Sequence, residues 1–260
     1  MNLRLLGGWR LTTSGHDIEL GHREQRLAAV LALNGRRRRV HVAGVLWPDT
    51  TDSRALASLR RAVLHTQRRV PGLLHSDRTT IGLEPDVGTD LDELRQAFDL
   101  VSRVDGAGDP TSVMPLLTGD ELLPGWYDDW AILARERIQR LRIRALERIA
   151  SHALERGDLR LTIEAAGEVT LLEPLLESAR EMSITAHLRR GDKGSAVREF
   201  RQYERDLWTE LRTPPSGAVL TLVKGLLGDG AHAARRGPVP ALVPKAGRRD
   251  LTRDAGSRHR

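Results

Sequence analysis

The sequence predicts a mostly α-helical protein in two parts: a small N-terminal unit of three helices framed by β-hairpins, and a longer all-α stack of helix pairs. Three observations predict it. Alternating apolar and polar residues are confined to the first ninety positions, whereas apolar residues recur every three or four positions through most of 91–228. One helical stretch in the first part carries an apolar stripe and an arginine-bearing stripe on separate faces. The pairs Gly157-Asp158 and Gly191-Asp192 lie 34 residues apart, each between two helical segments, and that is the period of a tetratricopeptide helix pair. A simple helical bundle is the alternative to the repeat.

The elements follow in chain order. Leu3 to Leu11 is short and partly alternating, Thr12 to Gly15 carries turn residues, and Ile18-Glu19-Leu20 resumes the alternation, which reads as a small β-hairpin. From Arg23 to Asn34, residues Leu27, Val30, Leu31 and Asn34 share one helical face, and Asn34-Gly35 is a C-terminal stop. The run Arg36 to Arg39 reads as a solvated loop, with contact to a nucleic-acid backbone as the alternative. Val42, Val45 and Leu46 mark a short second helix, broken at Trp47-Pro48-Asp49. The third helix begins near Asp52-Ser53 and runs to Val70, because no Gly or Pro intervenes before Pro71-Gly72. Two β-like pieces, Leu73-Leu74-His75 and Thr80-Ile81-Gly82-Leu83, then flank a polar turn with Arg78 at its tip. Hairpin, three helices and C-terminal hairpin are, in this order, the parts of a winged helix-turn-helix, whose third helix enters the DNA major groove.

The middle is helical throughout. Leu94, Phe98 and Val101 share a face between Leu91 and Ser102, and a turn-rich stretch from Asp105 to Pro110 interrupts. A long helix is expected from Trp126 to Arg156, another from Leu159 to Leu171, and a third opening with Pro174 at its first position and ending at Arg189. The next carries Val197, Phe200, Tyr203 and Leu207, and a last one covers Ser216 to Leu227 beyond Pro214-Pro215. The expected organisation is a winged-helix DNA-binding domain at 1–90, a tetratricopeptide-like domain at 91–228 and a disordered basic tail at 229–260.

Charge follows the same division. The net charge of +6 splits into +6 over residues 1–89, −5 over 90–228 and +5 over 229–260, so both basic segments flank an acidic middle. Of the 41 basic residues 38 are Arg, which reflects GC-rich coding or the bidentate binding of phosphate and guanine that Lys cannot make. With no cysteine, disulfides and thiolate metal sites are excluded. The longest apolar stretch, Leu27 to Leu33, is too short to span a membrane, and Met1-Asn2-Leu3-Arg4 opens no signal peptide, so a cytoplasmic protein without membrane contact is expected.

Catalytic patterns are lacking. No phosphate-binding P-loop, zinc-binding HExxH or GxSxG elbow occurs, and Gly106-Ala107-Gly108 lacks the strand and helix of a dinucleotide site. Asp128-Asp129 beside Trp130 is the best carboxylate pair, but adjacent residues on a helix point about 100° apart, so the pair reads as a cap on the long helix. The nine His are dispersed, and no catalytic residue, metal or cofactor is expected. At 3% aromatic residues the chain also lacks a stacking platform for single strands, while Trp9 and Trp47 read as packing residues.

The candidate DNA-binding residues lie on the third helix and the wing. Leu56, Leu59, Val63 and Val70 form its apolar stripe, with Ala55 and Ala62 beside it. Arg54, Ser58, Arg61, His65 and Arg68 succeed one another at +4, +3, +4 and +3 on another face. Arg61 and His65, mid-row, are expected to read bases, and Arg54, Arg68 and Arg78 to hold phosphates. An ordinary solvated face is the competing account of the row.

Several stretches resemble the SARP-type (Streptomyces antibiotic regulatory protein) transcriptional activators, in which a winged helix precedes a bacterial transcriptional activator domain. They are Leu3-Arg4-Leu5-Leu6-Gly7, Val45-Leu46-Trp47-Pro48-Asp49, Ala55 to Arg69, and Leu122-Leu123-Pro124-Gly125-Trp126-Tyr127-Asp128-Asp129-Trp130 followed by Glu136-Arg137. Thr213-Pro214-Pro215-Ser216 with Leu220 and Leu227 is similar to the family's closing segment. The resemblance implies a sequence-specific regulator of transcription, acting as an activator on promoter or operator DNA, with RNA polymerase and a second copy of the chain as partners of the helical domain. It names no operator, since the family's aromatic or His-Val segment is here Leu59-Arg60-Arg61-Ala62-Val63. A tetratricopeptide-like protein-interaction adaptor without specific DNA binding is the competing function, and an enzyme comes third.

Overall fold

The computed structural model describes residues 1–103 and 110–226. The expected tail at 229–260, the last position of the closing helix and Gly106-Ala107-Gly108 lie outside the described residues. The N-terminal part opens with antiparallel strands β1 (Asn2–Arg4), β2 (Arg10–Thr13) and β3 (His16–Asp17); the single strand expected over Leu3 to Leu11 is folded back on itself at Gly7-Gly8 (φ +77° and +136°), Thr12 and Thr13 belong to β2 rather than to the turn, and Ile18-Glu19-Leu20 is not a strand. Helix α1 spans His22–Asn34 and stops where Asn34-Gly35 predicts, the Gly35 amide donating to Leu31 O at 2.8 Å. Strand β4 (Arg37–Arg38) leads into α2 (Arg39–Leu46), and α3 runs over Asp52–Arg69. Strands β5 (Leu74–Ser76) and β6 (Thr80–Leu83) make the second hairpin, and β7 (Gly88–Thr89) returns to pair in parallel with β1. One sheet therefore has the order β3-β2-β1-β7 and the other β4-β6-β5.

The helical part begins with α4 (Asp90–Arg103), followed by a 3-10 turn at Pro110–Val113 that runs into α5 (Met114–Leu117). Then come α6 (Asp129–Arg156), α7 (Leu159–Leu172), α8 (Glu177–Arg189), α9 (Lys193–Glu210) and α10 (Gly217–Val223). Successive helices from α6 to α9 pack on one another, as stacked pairs do. The two breaks between them have the same construction. Gly157 (φ +80°) and Gly191 (φ +77°) end α6 and α8 in the left-handed region, and Asp158 and Asp192 then accept the amides of Leu161 (3.0 Å) and Ser195 (2.9 Å) to cap α7 and α9.

Two helix starts differ from the expectation. The long helix begins at Asp129 rather than Trp126, because Leu123 (φ +43°) and Gly125 (φ +79°) turn the chain just before it. Pro174 is not the first residue of α8, which starts at Glu177 with Leu176 as its N-cap. The Pro174 carbonyl instead accepts the Nε and Nη2 of Arg180 at 3.3 Å each, and the Leu176 amide donates to Glu173 O at 3.2 Å, so residues 174–176 form a turn.

Three apolar clusters fill the interior. The first joins β1, β2, α1–α3 and the second hairpin, and is completed by Leu122 and Leu123 from the segment before α6. The second lies among α4–α7 with Ala179 of α8, and the third among α8, α9 and α10 around Phe200 and Tyr203. Trp9 and Trp47 pack half-buried against the first cluster, as expected of packing residues. Among the described residues no helix is long and apolar enough to cross a membrane.

Candidate nucleic-acid interface

Helix α3 separates its two faces cleanly. Ala55, Leu59, Ala62 and Val63 are buried, and Thr66 joins them because its hydroxyl donates to Ala62 O at 2.9 Å, which removes the cost of burying it. Leu56 of the expected apolar stripe is only half-buried. On the other side Arg54, Arg61, His65 and Arg68 are exposed and Ser58 is half-exposed. Five arginines stand on this helix against one acid, Asp52, which sits in the first turn, where the helix dipole favours a negative charge. None of Arg54, Arg61 and Arg68 makes an ion pair or hydrogen bond with another described residue, so their guanidiniums are turned to solvent with their donors available.

The wing is a rigid turn, built around Asp77. Its Oδ1 accepts the amides of Thr80 (2.6 Å) and Thr79 (2.7 Å) and the Thr79 hydroxyl (3.0 Å); its Oδ2 accepts the Thr80 hydroxyl at 2.8 Å and the Arg36 guanidinium at 2.5 Å. The Thr80 and Thr79 amides, with Arg36 adding to them, hold the Asp77 carboxyl far below the usual carboxylate range. Arg78, between these residues, is exposed at the tip and pairs with no described residue. It stands on a separate element from the α3 row, delivered by the chain reversal at Pro71-Gly72.

The arginine run before α2 is not a solvated loop. Arg37 and Arg38 form β4 and pair with Ile81 and Thr80 of β6, which makes the wing a three-stranded sheet. Arg36 donates from Nε to the Thr80 hydroxyl at 2.8 Å as well as to Asp77, and Arg39 reaches the Ser76 hydroxyl at 2.6 Å. The run belongs to a strand because its partners supply the acceptors that arginine side chains need, and those partners are some forty residues away. No local pattern announces that pairing; the acid and hydroxyls of Ser76-Asp77-Arg78-Thr79-Thr80 were the available signal. Arg37 and Arg38 remain exposed and extend the basic surface of the wing.

A second set of arginines fixes this unit to the helices behind it. Arg26 on α1 donates to Leu46 O at the end of α2 (2.9 Å) and to the Asp128 carboxylate at the head of α6. Asp128 occupies the N-cap position, yet its side chain makes no cap bond to α6, so the expected helix-capping role passes to an ion pair across the junction. Trp126 stacks at 5.1 Å on the ring of His22 and at 6.0 Å, edge-on, on Trp130. Arg135 donates to the carbonyls of Leu122 (3.0 Å), Leu123 (2.8 Å) and Trp126 (3.1 Å) and pairs with Glu121 at 2.7 Å. The segment 121–130 is therefore a junction between two cores, held by Arg26, Arg135 and the ring of His22.

Asp90 performs the same service at the other side of the junction. It is buried at the head of α4, and its carboxylate accepts the amides of Leu5 (2.8 and 3.1 Å) and Leu6 (2.8 Å) just beyond β1. Burial pushes its pKa up, against the opposing effect of those two amides. Among the described residues no group of His, Asp and Glu is placed to hold a metal.

Comparison with known proteins agrees with this architecture. Residues 115–227 match the family model of the bacterial transcriptional activator domain. Over 239 residues the chain is 28% identical to the regulatory protein AfsR of Streptomyces coelicolor, an alignment that takes in 86% of this chain and 24% of AfsR. The chain thus spans about a quarter of the length of that relative. Its fold matches that of Mycobacterium tuberculosis EmbR, solved in complex with a low-affinity phosphopeptide, with a TM-score of 0.64 at 18% identity over 86% of this chain and 64% of EmbR. AfsR is by name a regulatory protein. An activator domain behind a winged helix, and a Streptomyces regulator similar to this chain over most of the chain's length, support the resemblance to the SARP-type family.

Proposed function

We propose that the chain is a transcriptional regulator that binds duplex DNA sequence-specifically through α3. The observation that carries this reading is the unpaired row Arg54, Ser58, Arg61, His65 and Arg68, exposed except for half-exposed Ser58, on a helix whose opposite face packs into the core through Ala55, Leu59, Ala62 and Val63. A helix held on one side and bearing uncompensated donors on the other has the form that major-groove readout requires. Arg61 and His65 read base edges, and Arg54, Arg68 and Arg78 hold phosphates on either side. The proposed division is a DNA-binding unit over 1–90 and an effector unit over 91–228, which contacts RNA polymerase and a second copy of the chain to activate transcription. The activating sign and these partners rest on the resemblance to the SARP-type activators.

The test is selection of a binding site from random duplexes by the purified chain, followed by measurement of affinity across a salt series. Saturable binding that resists scrambled competitor is expected. Arg61→Ala should cost about 1–3 kcal/mol on the selected site and little elsewhere. Arg68→Ala should weaken binding evenly across sequences and reduce the salt dependence by about one phosphate contact. Loss to any competitor equally would remove sequence-specific readout and favour the tetratricopeptide-like adaptor.

A further inference from the structure

A cavity of about 360 Å³ opens where the winged-helix unit meets the helical part, between the end of α1, helix α2, helix α4 and helix α6. That volume lies in the range of sites for small organic ligands. Its walls are largely apolar: Phe98 and Leu94 of α4 face Trp130, Leu133 and Ile138 of α6. Leu133 is 63% exposed at the mouth, an apolar side chain left facing water on an otherwise charged helix face.

The polar groups around this cavity include two guanidiniums and no carboxylate among the described residues. Arg95, Arg137, His41 and Asn34 line it. Arg95 is engaged with Asp92 and with the carbonyls of Ala32 and Leu33, and Asn34 donates to Val30 O, so these two shape the wall. Arg137 has no partner among the described residues and keeps all its donors free at the rim.

We propose that this cavity is a binding site for a small apolar carboxylate, an acid with a short aliphatic or aromatic body. The body fills the space between Phe98, Trp130 and Ile138, and the carboxylate is held by the Arg137 guanidinium at the rim. None of the α3 row lines the cavity, so the site is separate from the DNA-binding surface and does not depend on that reading. Because the walls come from both sides of the junction, an occupant contacts the winged-helix unit and the helical part at once.

The test uses calorimetric titration of the full chain, without DNA, with octanoate and 4-phenylbutyrate beside the matching neutral alcohols. Saturable binding of the acids, at least about tenfold tighter than of the alcohols, is expected from one charge-assisted contact. Arg137→Gln, at an exposed position, should remove that preference while leaving the circular dichroism spectrum unchanged. Leu133→Asp, also at an exposed position, should repel the acids and spare the alcohols. Acids and alcohols binding alike, acid affinity indifferent to both substitutions, or no saturable binding of either acid would each overturn the proposal.

Discussion

Arg36 and Asp77 meet at 2.5 Å across the wing, 41 residues apart in the chain, and this contact closes the turn that presents Arg78. Arg36 arrives from the residue before β4, so the strand and the turn are locked together by the side chain that precedes one and the carboxylate that heads the other. The amides of Thr80 and Thr79 that it accepts lower the pKa of the Asp77 carboxyl, which favours the ionised form that pairs with Arg36.

Asp77→Ala should loosen the wing without unfolding the chain, because Asp77 is exposed and none of the core depends on it. The expected outcome is an unchanged circular dichroism spectrum, with a duplex affinity reduced several-fold through the loss of a fixed phosphate contact at Arg78. Arg36→Gln should act in the same direction and more weakly. Fluorescence anisotropy on the selected duplex measures both; equal affinity for the wild type and Asp77→Ala would mean that the wing does not touch DNA.

The Arg26–Asp128 pair makes a second prediction. Both side chains are 19% exposed, and Arg26 also satisfies Leu46 O, so its removal leaves a carboxylate and a carbonyl without their donor. Arg26→Ala should destabilise the chain by about 1.5–3 kcal/mol. Asp128→Ala removes only one of the two contacts and should cost less. In a double-mutant cycle by chemical denaturation the two losses should not add, with a coupling of about 1 kcal/mol; strict additivity would show that the pair does not hold the junction.

How much of this was legible depended on sequence distance. Helices α1, α3 and α4 were read to within a residue or two, because apolar spacing, Asn34-Gly35 and Pro71-Gly72 act locally. The face carrying Arg54, Ser58, Arg61, His65 and Arg68 was readable for the same reason, since +3 and +4 spacing alone places residues on one side of a helix. The short strand β7, the strand nature of Arg37-Arg38 and the roles of Asp90 and Arg26 were not readable. Each depends on a partner 41 to 102 residues away or on a two-residue pairing too short to leave a period. The motif at 122–130 was visible as a pattern, but its burial in the N-terminal core was not.

Asp90 adds a pH signature. Burial raises its folded pKa above the ordinary 3.8, so between that value and the raised one the folded chain holds a proton that the unfolded chain has released. This group's contribution to stability is therefore greatest below 3.8 and declines as pH rises through the folded value. Asp90→Asn has no proton to lose there. Its stability relative to the wild type, measured by urea denaturation from acid to neutral pH, should improve as pH rises, whereas a constant difference would exclude a strained buried charge. Asp90→Ala should be worse at every pH, since it strands the amides of Leu5 and Leu6 at about 1–3 kcal/mol each.

The matched breaks between helices make the last prediction. Gly157 and Gly191 both adopt φ near +80°, and a methyl group added at either meets nothing within 4 Å, so only the backbone conformation opposes a larger residue. Gly157→Ala and Gly191→Ala should each cost about 1 kcal/mol, and the corresponding Asn substitutions less, since Asn tolerates the left-handed region. Equivalent positions in a repeat should show equal costs, because each break joins a left-handed stop to an Asp that caps the next helix. Chemical denaturation of the two variants compares them directly. A cost at one glycine and none at the other would show that the 34-residue spacing joins two unlike turns, and would favour the simple bundle over the repeat.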